Sequence, residues 1–151
     1  MQLSEHFTLA EATYSETAIR MHIDNNPSTL QLENMKVAAE KLEAVRAVTG
    51  PLRVNSWLRL PDVNVAVGGS KVSSHMDGWA IDVSSTAHTP HELCQLVKKA
   101  GIKFDQMIHE YGRWMHISFA PEMRQQEMTI YKPEGKYKPG ILTEAEYHAH
   151  A

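Results

Sequence analysis

Ser74-His75-Met76-Asp77-Gly78-Trp79-Ala80-Ile81-Asp82 is the stretch on which the reading of this sequence turns. His75 closes a segment without periodicity, and Asp82 lies in an apolar, strand-like run from Trp79 to Val83. A turn at Gly78 lets the two side chains converge on one point. Farther on, Trp114-Met115-His116-Ile117-Ser118 places His116 within a second strand, its side chain opposite to those of Met115 and Ile117. Two imidazoles and one carboxylate form a sound zinc set, and they leave a fourth position open, as catalytic sites do. Spacing alone also allows another reading, in which His75 caps a turn, Asp82 sits on a strand surface and His116 is a satisfied core histidine.

Working outward, Thr29 to Val48 is the clearest helix. Leu32, Met35, Ala39, Leu42, Val45 and Val48 recur at three- and four-residue steps, charged residues fill the gaps, and Gly50-Pro51 ends the run. Thr8 with Glu11 forms a capping-box pattern that predicts an earlier helix start. Leu52 to Leu58 alternates as a half-buried strand. Residues 59–74 hold Pro61, Asp62, Asn64, Gly68, Gly69 and several serines, and are expected to be a long ordered loop. Thr89-Pro90 opens a helix that Gly101 stops. Phe104–Glu110 and Arg113–Phe119 read as a hairpin joined at Tyr111-Gly112. Residues 1–131 are expected to form the domain, and 132–151, richer in Glu, Lys, Pro and Gly, a surface tail.

The chain has 151 residues, 42% apolar and 22% charged, an ordinary globular balance that fits one core. A net charge of −3 and the lack of a basic stripe with interleaved aromatics argue against nucleic acid as a partner. Cys94 is the only cysteine, which excludes an internal disulfide and any cysteine-rich zinc site. It reads as a small buried hydrophobe. No run of about 18 apolar residues is present, so no membrane insertion is expected. The first residues lack a basic start and an apolar run, so no signal peptide is expected. The protein is expected to act as a monomer.

The block S-W-L-R-L-P-D-V-N-V-A-V-G-G-S-K-V-S-S-H-M-D-G-W-A-I-D (residues 56–82), followed by W-M-H at 114–116, resembles the signature of the zinc D-alanyl-D-alanine carboxypeptidase and L-alanyl-D-glutamate peptidase family. Members of that family share a fold with the Hedgehog signalling domain. Ser56, Arg59, Asn64, Gly68, Gly69, Ser74, His75, Gly78, Ala80, Asp82, Trp114 and His116 fit its pattern in order. The leading segments F-T-L-A-E-A and I-D-N-N-P resemble the branch common in bacteriophage and prophage proteins.

The resemblance implies an α+β fold, with a small antiparallel sheet carrying the zinc site and helices packed on it. It implies that His75, Asp82 and His116 bind Zn2+ and that Arg59 holds the substrate near the scissile carbonyl, with Ser74 as a further substrate contact. The family's proton-transferring acid commonly lies three residues before the last histidine, where this chain has Arg113. Glu110, six residues before His116, is the acid nearest upstream. The implied function is hydrolysis of peptide bonds in peptidoglycan stem peptides by an endolysin or virion-associated lysis protein. An endolysin would accumulate in the host cytoplasm and reach the cell wall after release. The rival is a non-catalytic zinc-binding module of a phage particle, which would need no carboxylate within reach of the metal water.

Overall fold

The computed structural model describes residues 1–150. The leading segment forms two short helices, α1 (Leu9–Thr13) and α2 (Glu16–Met21). Thr8 and Glu11 make the expected capping box on α1, each side chain bonded to the other's backbone N–H. Helix α3 (Thr29–Thr49) starts at a second capping box, Ser28 with Gln31, and buries Met35, Ala38, Ala39, Leu42 and Val45.

Strand β1 (Arg53–Ser56) follows, then α4 (Pro61–Ala66), a 3-10 turn at Ser74–Asp77, and β2 (Ala80–Ser84). The segment expected as a loop therefore carries a helix. Pro61 sits at its first turn, where a missing N–H costs nothing, but a six-residue helix is too short to show a period. Helix α5 (Pro90–Lys99), the hairpin β3 (Gln106–Glu110) and β4 (Trp114–Ser118), then β5 (Gln126–Ile130), β6 (Lys138–Pro139) and α6 (Glu144–Ala149) complete the order.

The six strands form one sheet in the order β1-β2-β4-β3-β5-β6. The fold is α+β as expected, and all pairings are antiparallel except β3 with β5. The parallel pair has a local cause. The carboxylate of Asp105, buried just before β3, accepts hydrogen bonds from Arg124 Nε (2.9 Å), Nη2 (2.8 Å) and backbone N (3.1 Å). That clamp sets the start of β5 beside the start of β3.

The sheet's alternation separates a core face from a site face. Ile81, Val83, Met107, Met115 and Ile117 point into one core with α3 and with Leu93, Cys94 and Val97 of α5. On the other face, Asp82 and Ile108 both stand directly opposite His116, and Glu110 stands opposite Trp114. Asp82, Ile108, Glu110, Trp114 and His116, from three neighbouring strands, thus face the same side.

Residues 132–150 are not a surface tail. β6 pairs with β5, and α6 opens on a Thr143–Glu146 capping box. Tyr147 is buried, its hydroxyl donating to Lys136 O (2.6 Å). The ammonium of Lys138, also buried, donates to Glu134 (2.5 Å), Tyr147 O (2.8 Å) and His150 O (2.7 Å). Composition hid this, because the segment packs through a few scattered residues, Ile141 in the core, Tyr147 and the internal cation of Lys138, rather than through an apolar stripe.

Candidate metal centre and cleft

His75 enters the site from the 3-10 turn, which Gly78 ends at φ 84°. A side chain at Gly78 would be strained there and would also strike Met35 of α3. The indole of Trp57, wholly buried, donates to Gly78 O at 2.8 Å and fixes the same turn from the core side. Gly69 is required for a different reason: a Cβ there would lie 2.1 Å from Oδ1 of Asn64, whose amide nitrogen in turn donates to Ser70 O.

The ring of His75 is buried, with Nδ1 2.7 Å from the carbonyl oxygen of Trp57. A carbonyl only accepts, so Nδ1 carries the proton and the neutral ring turns its Nε2 lone pair to the site. That lone pair lies 3.3 Å from Asp82 Oδ1. His116 Nδ1 lies 3.0 Å from the same oxygen, and the two imidazoles meet edge to face at 5.1 Å. One ligand atom from each of the three residues falls within 4.8 Å of the others, the group of this kind found among the described residues.

With His75 neutral, its lone pair and the Asp82 carboxylate face each other at 3.3 Å, an arrangement that a bound cation would satisfy. The second ring nitrogen of His75 is oriented by a carbonyl, as ligating histidines usually are. Two imidazole nitrogens and a carboxylate are the donor chemistry of catalytic zinc. The residues therefore fit the metal on their own geometry.

Protonation follows the same arrangement. Burial lowers the pKa of His75 despite the charge of Asp82. Burial acts in the same sense on His116, but the hydrogen bond and charge of Asp82 outweigh it and raise that histidine. Burial would raise Asp82, yet the two histidines hold its carboxyl well below the usual range.

Around this group lies a cleft of about 800 Å³, lined among others by Arg59, Ser74, Trp79, Glu110, Trp114 and Tyr137. Glu110 accepts a hydrogen bond from the Trp114 indole. Burial, then the charge of Asp82, pushes its pKa up to about 7. Arg59 hydrogen-bonds His75 O through its backbone N–H at 3.0 Å, so the arginine and the histidine are tied together. Its Nε is buried and has no hydrogen-bond partner.

The structure thus gathers every residue singled out in the sequence, His75, Asp82, His116, Glu110, Arg59 and Ser74, into one cleft. Of the three tryptophans, Trp57 belongs to the core, whereas Trp79 and Trp114 line the cleft. Cys94 is buried on α5, where burial pushes its thiol pKa up. Tyr137 is the residue that sequence reasoning missed. It lies in the segment expected as a tail, and only the pairing of β6 brings it here.

Residues 5–118 match the model of the family described as Peptidase M15. The chain belongs to the Peptidase M15 family. It is thereby a metallopeptidase of a zinc-dependent family, with His75, Asp82 and His116 as the group that can bind the metal. No curated protein matches the chain. Among the described residues, no helix is long and apolar enough to cross a membrane.

Proposed function

We propose that this M15 peptidase hydrolyses peptide bonds in peptidoglycan stem peptides, with zinc on His75, Asp82 and His116, Glu110 as proton carrier, and Arg59 and Ser74 as substrate contacts. The observation that carries the reading is the site face of the sheet. It presents the buried ligand group and Glu110 to the cleft in which Arg59 holds an unsatisfied Nε.

Bound zinc supplies Lewis acidity, acidifying a water and polarising the scissile carbonyl. Glu110 takes the proton released as water adds and passes it to the leaving nitrogen. A carboxyl beside the metal can do both, accepting the proton when ionised and giving it up once protonated. Arg59 meets carbonyl or carboxylate oxygens with a planar fork and stabilises negative charge as it develops. Its unpaired Nε supports that role, because a buried donor without an acceptor costs free energy that a substrate oxygen would recover.

The setting proposed is bacteriophage lysis, either as an endolysin released from the host cytoplasm or as a virion-associated protein. The leading segments that resemble phage and prophage members support this. Digestion of purified peptidoglycan by zinc-loaded protein, with released fragments identified by mass spectrometry, tests the activity and names the bond. New amino and carboxyl ends within the stem peptide are expected. Intact peptidoglycan after exhaustive incubation would leave the domain as a zinc-holding scaffold.

A further inference from the structure

We propose that Tyr137 is a substrate-contacting residue of the cleft, its phenol hydroxyl donating a hydrogen bond to the bound peptide. The inference rests on the peptidase reading above, and it concerns a residue beyond the stretch that matches the family.

The placement follows from strand register. β6 pairs with β5 so that Lys138 stands opposite Thr129 and Pro139 opposite Met128. Met128 is in register with Ile108 of β3, which faces His116, so Met128 lies on the site face and Thr129 on the other. Side chains alternate along an extended chain, so Lys138 and Tyr137 take opposite faces. The contacts agree. Lys138 runs to the back, into a cage of Glu134 and the carbonyls of Tyr147 and His150, with the Tyr147 ring 4.2 Å from its ammonium. Tyr137 lines the cleft with Arg59, Asp82, Glu110 and His116. The buried cation thus anchors the backbone from behind while the phenol is presented in front.

Chemistry distinguishes Tyr137 from the charged residues of the cleft. Asp82 and Glu110 offer acceptors, the latter at least when ionised, and Arg59 is a fixed cation. A phenol is a neutral donor that can meet a peptide carbonyl without adding charge near the ligands. Tyr137 is still 54% exposed, more than a residue whose role is core packing. Its ring leaves that surface free for a ligand to cover.

The test compares Tyr137→Phe, which removes only the hydroxyl, with Tyr137→Leu, which also removes the ring. Two readouts are used on zinc-loaded protein. One is kcat/KM on purified muropeptides. The other is the Kd of the same muropeptides on a Glu110→Gln background, which keeps ligand from turning over. Loss of one hydrogen bond is expected to lower kcat/KM about tenfold in Tyr137→Phe and to raise Kd by a similar factor, with zinc content and Tm unchanged. Tyr137→Leu is expected to lose more. Wild-type levels of both readouts in Tyr137→Phe would overturn the proposal while leaving the peptidase intact. Binding without cleavage by the wild type would overturn the peptidase reading, and the Kd comparison would still decide Tyr137. A wild type that neither binds nor cleaves muropeptides would overturn both.

Discussion

Asp82 and His116 face each other across β2 and β4 in direct register, one carboxylate oxygen 3.0 Å from Nδ1 of the ring. In this pairing the histidine is stabilised in its charged form, since the hydrogen bond and charge of Asp82 overcome burial and raise its pKa. A histidine that binds zinc must be neutral. Metal uptake and proton release are therefore linked at this residue.

The first prediction follows from that linkage. Zinc added to metal-free protein near neutral pH should release protons, and apparent zinc affinity should weaken as pH falls and His116 holds its proton more firmly. Titration in a weak buffer with a pH indicator measures the release. His116→Ala should lose most of the metal, read by metal analysis after purification without chelator. Full zinc retention in that variant would remove His116 from the site.

A second prediction concerns Glu110. The proton acceptor must be ionised to act, so kcat/KM should fall on the acid side as the carboxylate is protonated. Without metal the group is pushed up to about 7 by burial and by Asp82. A nearby dication favours the ionised form, so the acid limb of the zinc enzyme should lie below that value. Glu110→Gln should keep zinc and fold and lose about 100- to 10,000-fold in turnover. The pH–rate profile and the variant's kcat check the two parts separately, and near wild-type turnover in Glu110→Gln would reassign the role.

The site was legible in the sequence through the resemblance of residues 56–82 and 114–116 to the peptidase signature, since spacing alone left His75, Asp82 and His116 open to another reading. His75 and Asp82 are seven residues apart around one glycine turn, and His116 sits among Met115 and Ile117 in a plain period of two. Glu110 could be named as the acid nearest upstream of His116, where the family resemblance places the proton carrier, and the hairpin pairs it with Trp114. Helix α4 was hidden because six residues beginning at Pro61 show no period. The last segment was hidden because its packing rests on the isolated residues Ile141, Tyr147 and Lys138, and a buried lysine looks like a surface one until its three acceptors are known. The Thr143–Glu146 capping box was the readable signal there. Nothing local marks Tyr137, whose place depends on the pairing of β6 with β5.

Lys138 gives a third prediction. Lys138→Met keeps the length of the side chain but leaves the carbonyls of Tyr147 and His150 and the Glu134 carboxylate without their shared donor. Stranding a buried acceptor such as Tyr147 O typically costs about 1–3 kcal/mol, whereas the exposed Glu134 and His150 can turn to water. The variant should lose Tm, and amide exchange should quicken first across β6 and α6, where the cage holds the chain. Unchanged exchange there would mean that this segment is held by Ile141, Tyr147 and the hydrogen bonds of Thr129 rather than by the cation.

The last prediction separates enzyme from scaffold at Arg59. In a scaffold this arginine could be replaced freely, although its buried, unpaired Nε already argues for an absent acceptor. In the peptidase it fixes the substrate beside the metal and meets negative charge as water adds to the carbonyl. Loss of one such donor typically costs about 2.7–4 kcal/mol of transition-state stabilisation. Arg59→Ala should therefore lower kcat/KM on muropeptides by about two to three orders of magnitude. Arg59→Lys keeps the charge without the fork and should recover only part of the loss. The backbone N–H bond from residue 59 to His75 O survives either change, so zinc content should stay at the wild-type level. An active enzyme indifferent to Arg59→Ala would keep the peptidase and remove this residue from substrate binding. Parallel loss of zinc and activity would instead make Arg59 a support for His75.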